Sequence, residues 1–245
     1  MRIEVLDHGF VRLVSYTQPV DHNSEFSPKP NWTGDLEIVR AARTSYNADW
    51  RVGDKGEEAS DRKLINYLMM HDHTTPFEAM VLTFEVQAPL FVLRQWHRHR
   101  TWSYNEVSAR YTELPEMYYV PEAKDIKPQS RKNKQGRDGE FSLTEQLSVK
   151  DAIDAHSKEA FRIYQGLIEN EVARELARMV LPLNTYSRMF ATVDLHNLFH
   201  FLKLRLDEHA QFEIREYARA LLVLIRSIVP VAVEAFEAYI DLENE

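Results

Sequence analysis

The densest run of reactive side chains in this sequence is RQWHRHRTWSYNEVSARY, residues 94–111. Arg94, Arg98, Arg100 and Arg110 stand against one acid, Glu106, a local formal charge of +3 in a chain whose total is −8. Trp96, Trp102, Tyr104 and Tyr111 are interleaved with them, together with His97 and His99. Guanidinium forks bind phosphates through paired hydrogen bonds, and flat rings stack on heterocycles. The combination suits a ligand that carries both, a nucleotide or a flavin. The plainer reading is a solvated face of arginines paired with acids, but a single glutamate leaves too few partners for it.

Three more segments hold histidine or arginine: HDHTTPFE (71–78), ARMVLPLNTYSR (177–188) and DLHNLFHFLKLR (194–205). His71 and His73 flank Asp72, which suggests a metal-dependent phosphohydrolase, yet no persuasive set of further ligands accompanies them. A histidine at a helix end is also favoured by the dipole alone. His196 and His200 share one helical face, but a zinc-peptidase helix needs Glu directly after the first His, where Asn197 stands. Ser108 sits between Val107 and Ala109, without the glycines of a nucleophile elbow, so its hydroxyl reads as a hydrogen-bonding group. The absence of cysteine excludes disulfides, thiolate metal sites and Cys nucleophiles. No metal is expected. The charge of −8 argues against broad nucleic-acid binding, which rests on many Lys and Arg contacts to phosphates.

Elements that could position these residues follow from periodicity. Residues 2–17 predict one or two short strands around Gly9, and 79–89 predict a strand closed by Pro89. That proline suits the first position of a helix, PLFVLRQWHRHR. Short helices are expected over 33–46 and 57–71, with a Pro- and Asn-containing loop at 19–32 between the first strands and them. A polar segment at 122–140, poor in apolar residues, reads as a mobile loop. Ser142 and Glu145 have capping-box spacing and open a long amphipathic helix. EVARELARMVL predicts a second helix ending at Pro182, residues 184–193 a strand, and DLHNLFHFLKLRL a helix capped by Asp194. From Glu213 the chain reads as helical with a break at Pro230. The order predicts a single α+β domain over residues 1–245, a mixed or antiparallel sheet flanked by helices. Apolar helical faces beyond what one small sheet can cover favour an oligomer. No signal peptide or membrane span is apparent, since the most apolar tract is interrupted by Arg226 and Pro230, and a cytoplasmic location is expected.

Arg98-His99-Arg100, seven residues, then Ser108-Ala109-Arg110 matches the R-H-R-x7-S-x-R signature, and the chain resembles the flavin-dependent thymidylate synthases. The likeness runs through HTTPFE, QWHRHR, SYNE, VLPLN, YSR and EIREYA, nearly the whole chain. The resemblance implies an α+β homotetramer with active sites shared between subunits. It implies conversion of dUMP to dTMP, with FAD as redox cofactor and NADPH and methylenetetrahydrofolate as co-substrates. A Cys-free chain accords with a route that needs no enzyme thiol.

Carried over by position, the resemblance implies that Thr75, Arg98, His99, Arg100, Glu106, Asp194, Leu195, His196 and His200 hold FAD. It implies that Gln95, Trp96, His97, Arg98, Glu106, Val107, Ser108, Ala109, Arg110, Arg178 and Arg205 surround dUMP. Arg205 would lie against the uracil and stabilise negative charge on its imide edge, the catalytic role. Many relatives have Asn and Arg where this chain has Asp194 and His196, and Asn in place of His200. The 122–140 loop looks longer than in compact relatives and is expected to close over bound nucleotide. Two competing readings are a metal-dependent nucleotide phosphohydrolase using His71 and Asp72, and a non-catalytic RNA-binding module that stacks bases.

Overall fold

The computed structural model describes residues 1–18, 34–45 and 55–244, with side chains within 55–59 and 241–244 left aside. The loop expected at 19–32 lies outside the described residues. Five strands, β1 (Arg2–Val5), β2 (Gly9–Tyr16), β3 (Val81–Pro89), β4 (Ser103–Glu106) and β5 (Tyr186–Asp194), form one sheet in the order β1-β2-β3-β5-β4. Every pairing is antiparallel, so of the two sheet types expected the antiparallel one is observed.

β3 and β5 form the centre, paired without a break from Val81↔Asp194 to Pro89↔Tyr186. Strand alternation puts Leu82, Phe84, Val86 and Ala88 on one face, where all four are fully buried. α7 (Leu195–Leu206) and α8 (Phe212–Arg226) pack against the sheet, and α1 (Asp35–Thr44), α2 (Lys55–Met70), the single turn α3 (Thr75–Glu78) and α9 (Pro230–Asn244) join the same core. The opposite face carries Glu85, whose carboxylate is buried between Arg12 and Arg188. Gly9 opens β2 where a side chain has no room: a Cβ there would lie 1.9 Å from the Tyr217 hydroxyl.

α5 (Leu143–Glu169) starts from the expected capping box, with Ser142 and Glu145 bonding each other's backbone. It stands outside the main core. Phe161 and Tyr164 meet Ala177 of α6 (Arg174–Ala177) in a small second cluster. The Tyr164 hydroxyl accepts from Leu114 N at 3.1 Å, which ties the chain just beyond the arginine-rich stretch to this helix. Asn184 joins the same parts, donating to Tyr119 O at 2.8 Å and Ser157 Oγ at 2.9 Å.

Several expectations need correction. α4 (Leu90–Trp96) begins after Pro89, which caps it in extended conformation, and stops before the HRHR run. The continuous helix expected over EVARELARMVL is α6 followed by a 3-10 turn at Arg178–Val180. β4 was not anticipated: four residues reading SYNE have no apolar alternation, and only pairing with β5 makes them a strand. The polar segment 122–140 forms a hydrogen-bonded lobe. Ser130, buried, donates to Asp138 at 2.6 Å and accepts from the amides of Lys132 and Asn133, and Gln129 bridges to Arg137.

Candidate active site

Two elements meet at the centre of the arginine-rich stretch. α4 ends in a tight turn in which His97, Arg98 and His99 bond back to Leu93, Gln95 and Trp96. Tyr104, from β4, clips that turn by donating its hydroxyl to Trp96 O at 3.0 Å and His99 O at 2.8 Å. Burial pushes the Tyr104 pKa up, which keeps it a donor. Arg98 and Arg100 are thereby turned outward, exposed, while His99 between them is buried.

His99 faces α7. Its Nε2 accepts from Arg205 Nε at 3.1 Å, its ring lies edge-on to Phe201 at 4.7 Å, and the His200 ring is 6.1 Å away. Desolvation, then the Arg205 cation and His200, lower its pKa to about 4. At neutral pH the imidazole is uncharged, with Nε2 free to accept and the proton on Nδ1. Burial lowers the Arg205 pKa as well, but a guanidinium beginning above about 12 stays cationic.

A second group lies along β4 and beyond. Glu106 accepts from Ser187 Oγ at 2.6 Å, and His97 Nε2 is 4.0 Å from its other oxygen. That His97 nitrogen is buried without a hydrogen-bond partner among the described residues. Val107 N donates to Arg188 O at 2.8 Å, extending the β4–β5 pairing to the serine turn. There Ser108 O accepts from Tyr111 N and Thr112 N, and Ser108 Oγ from Arg110 N at 3.3 Å. Arg110 reaches Glu175 of α6 at 3.4 Å, both half-exposed. Arg178, three residues on, is exposed and its guanidinium pairs with nothing among the described residues.

A cleft of about 170 Å³ adjoins the first group, lined by His73, Thr74, His196, His200, Lys203 and Tyr239 among others. It joins two of the segments singled out in the sequence, 71–78 and 194–205. The join is packed by Phe77 of α3 against Phe199 of α7, 6.2 Å between centroids.

The family of thymidylate synthase complementing proteins, Thy1, matches residues 31–231. A flavin-dependent thymidylate synthase of Treponema pallidum is 45% identical over 237 residues, 96% of this chain and 71% of that protein. One from Thermus thermophilus is 45% identical over 240 residues, 98% and 80% of the two. The solved structure of a UMP/dUMP methylase, PolB from Streptomyces cacaoi bound with 5-Br UMP, superposes with a TM-score of 0.80 at 35% identity, covering 97% of both chains. The chain belongs to the flavin-dependent thymidylate synthase family.

Several features of the site could take a flavin nucleotide. Among the described residues Arg98 and Arg100 carry exposed guanidinium groups with no ion pair and His97 a buried nitrogen with no partner, and the cleft that His200 shares with the surroundings of His99 is lined by imidazoles, Thr74 and aromatic rings. Not every residue expected at the ligands presents a side chain to them. Trp96 is fully buried against Trp102 and Phe201, Leu195 is core, and Ala109 is nearly so. Both oxygens of Asp194 are engaged by Asn197, at 2.8 and 2.7 Å, capping α7. Thr75 is exposed at the head of α3.

Residues not assigned a role beforehand contact the candidate residues: Ser187, Tyr104 and Gln211. Ser187 orients Glu106, Tyr104 fixes the His99 turn, and Gln95 Nε2 donates to Gln211. Gln211 lies in HAQFE, directly after the Arg205 helix, and that proximity in sequence was its available signal. Among the described residues no group of three or more His, Cys, Asp or Glu side chains could hold a metal ion. His71 Nδ1 is instead 2.9 Å from Tyr67 O.

Proposed function

We propose that this chain converts dUMP to dTMP, with methylenetetrahydrofolate as one-carbon donor, FAD as redox cofactor and NADPH as reductant. The observation that carries the reading is the contact between Arg205 and His99, which sets a permanent cation against the R-H-R turn. Arg98, His99, Arg100 and Thr75 would hold the flavin, with Asp194, Leu195, His196 and His200 at the α7 end of its site. Bound and reduced, FAD supplies the hydride that turns a transferred methylene into a methyl group.

The residues of the chain do the rest. A nucleotide monophosphate is a dianion, and Arg110 and Arg178 are half-exposed or exposed cations able to neutralise it. Ser108 adds a hydroxyl beside them, and Gln95 and Glu106 are the polar neighbours of the sugar or base. Arg205 spends its Nε on His99, so its terminal amino groups remain for the N3/O4 edge of uracil. A fixed positive charge there favours the enolate-like form that makes C5 nucleophilic, an electrostatic contribution that needs no enzyme thiol. Because His99 is neutral, it does not compete with the uracil for negative charge.

Assembly as a homotetramer, with sites completed across subunits, is part of the same reading. Met179 within the turn at Arg178–Val180 and Leu183 just beyond it are exposed, and Leu143 and Leu147 are exposed along α5. Apolar surface of this extent is what a subunit contact covers.

The test is direct. Purified protein should be yellow, release FAD on denaturation, and form dTMP from dUMP with methylenetetrahydrofolate and NADPH, with UMP run alongside as a competing substrate. A colourless protein that hydrolyses nucleotide phosphates with bound zinc or manganese would replace this reading with the phosphohydrolase. RNA affinity that falls steeply with salt, and no turnover, would replace it with the base-stacking module.

A further inference from the structure

The lobe formed by residues 122–140 carries Arg137, whose guanidinium lies 3.1 Å from Glu213 Oε1 and 5.5 Å from the centroid of the Phe212 ring. Glu213 is 2% exposed. Among the described residues Arg137 is the one basic side chain paired with it. The same oxygen accepts from the Tyr119 hydroxyl at 3.3 Å, which burial keeps protonated by raising its pKa. The other oxygen accepts from Gln211 Nε2 at 2.8 Å, and Gln211 Oε1 in turn accepts from Gln95 Nε2.

The direction of this series is fixed by chemistry. A carboxylate only accepts, so Gln211 must give it the amino end of its amide and turn its carbonyl to Gln95. Gln95 must then donate to that carbonyl, which leaves its own Oε1 as the free end. A glutamine held this way offers a hydrogen-bond acceptor to whatever lies beyond it, and a matching ligand group must be a donor, an imide N–H or a sugar hydroxyl. Without Arg137 the buried carboxylate loses its counter-charge, which favours protonation or reorientation, and the polarity of both amides is no longer dictated.

Resting on the placement of Gln95 at the nucleotide, we propose that Arg137 is a positioning residue for dUMP: through Glu213 and Gln211 it presents Gln95 as an acceptor. The lobe thus acts on the nucleotide through an internal ion pair.

The experiment compares Arg137→Ala, Arg137→Lys, Gln211→Leu and Gln95→Ala in the FAD-loaded protein, by calorimetric titration with dUMP and by steady-state kinetics. Arg137→Ala should raise the dUMP Kd and KM about tenfold, the scale of one hydrogen bond, with kcat within about twofold and flavin content unchanged. Arg137→Lys, which keeps the counter-charge, should recover most of that loss. Gln211→Leu should reproduce it, and the double variant should be no worse than either single one, because both cut the same series. Gln211 is exposed, so this variant carries the test if Arg137→Ala fails to fold. Unchanged dUMP binding in Gln211→Leu alongside weakened binding in Gln95→Ala overturns the proposal and leaves the function standing. Unchanged binding in Gln95→Ala overturns the placement of Gln95, and absence of dUMP turnover in the unmodified protein overturns the function itself.

Discussion

His99 and Arg205 hold each other across 106 residues of sequence through a 3.1 Å hydrogen bond from Nε to Nε2. The bond requires an unprotonated Nε2 on the histidine and takes one donor of the arginine. It therefore couples the charge state of the R-H-R turn to the orientation of the guanidinium proposed to act on the uracil.

Arg205→Lys and Arg205→Ala are expected to lower kcat for dTMP formation at least about 100-fold, the scale of removing one preorganised electrostatic contact. Lysine keeps the charge but is a point donor and cannot hold His99 and an imide edge together. Flavin content, read from visible absorbance, should stay near that of the parent. Near-normal turnover in either variant removes the catalytic assignment.

The lowered His99 pKa makes a stability prediction. Its value is about 4 in the folded chain against 6.5 as the ordinary value, so between those limits the unfolded state binds more protons. Stability then rises with pH through this window and is lost on acidification from about pH 6.5 towards 4, by about 3 kcal/mol from this group. His99→Gln keeps an acceptor for Arg205 and does not titrate. Urea midpoints at pH 7 and pH 4.5 should differ less in that variant than in the parent; equal differences would show that His99 is not the group responsible.

Arg110→Ala separates binding from folding. Its pair with Glu175 is 55% exposed on each side, and such pairs contribute about 0–1 kcal/mol. The melting temperature should therefore hardly move. The dUMP KM should rise about 100-fold, the effect of removing a charge-assisted pair of bonds to phosphate. A large fall in melting temperature with unaltered KM would make Arg110 a structural residue.

Gly9→Ala tests the close approach of the sheet and α8. A methyl group would lie 1.9 Å from the Tyr217 hydroxyl and 2.6 Å from Val5 O, breaking the bond from Tyr217 to Gln87 O at 2.8 Å. A loss of about 2 kcal/mol or more is expected by urea unfolding. A neutral substitution would mean that β1 and β2 can shift to admit it.

The fold was legible in the sequence wherever a residue's partners are repeated along its own element. β3, β5 and α7 announce themselves by alternating or helical apolar spacing, and Ser142 and Glu145 reveal the start of α5 by chemistry within four residues. β4 was hidden because Ser103, Tyr104, Asn105 and Glu106 become a strand only through β5, far along the chain. The end of α4 at Trp96 was hidden for a related reason: Tyr104 supplies bonds that hold the following turn. At the candidate site, the family resemblance pointed to His99 and Arg205 but not to their mutual contact. Gln211, Glu213 and Arg137 were missed because a buried carboxylate and a remote lobe have no local pattern to betray them. Trp96 shows the converse, a motif residue whose side chain serves the core.

α7 also works as a ruler. His196 and His200 stand in its first half and Arg205 in its last turn, on a helix whose start is pinned by Asp194 and which advances about 1.5 Å and turns about 100° with each residue. The distance and angle between the imidazole-lined cleft and the Arg205 cation are thus set by residue count. One residue inserted between His200 and Arg205 would swing the guanidinium away from His99 while leaving every side chain of the site in the sequence. The chain can exchange many of the residues along this helix, but it cannot change their number.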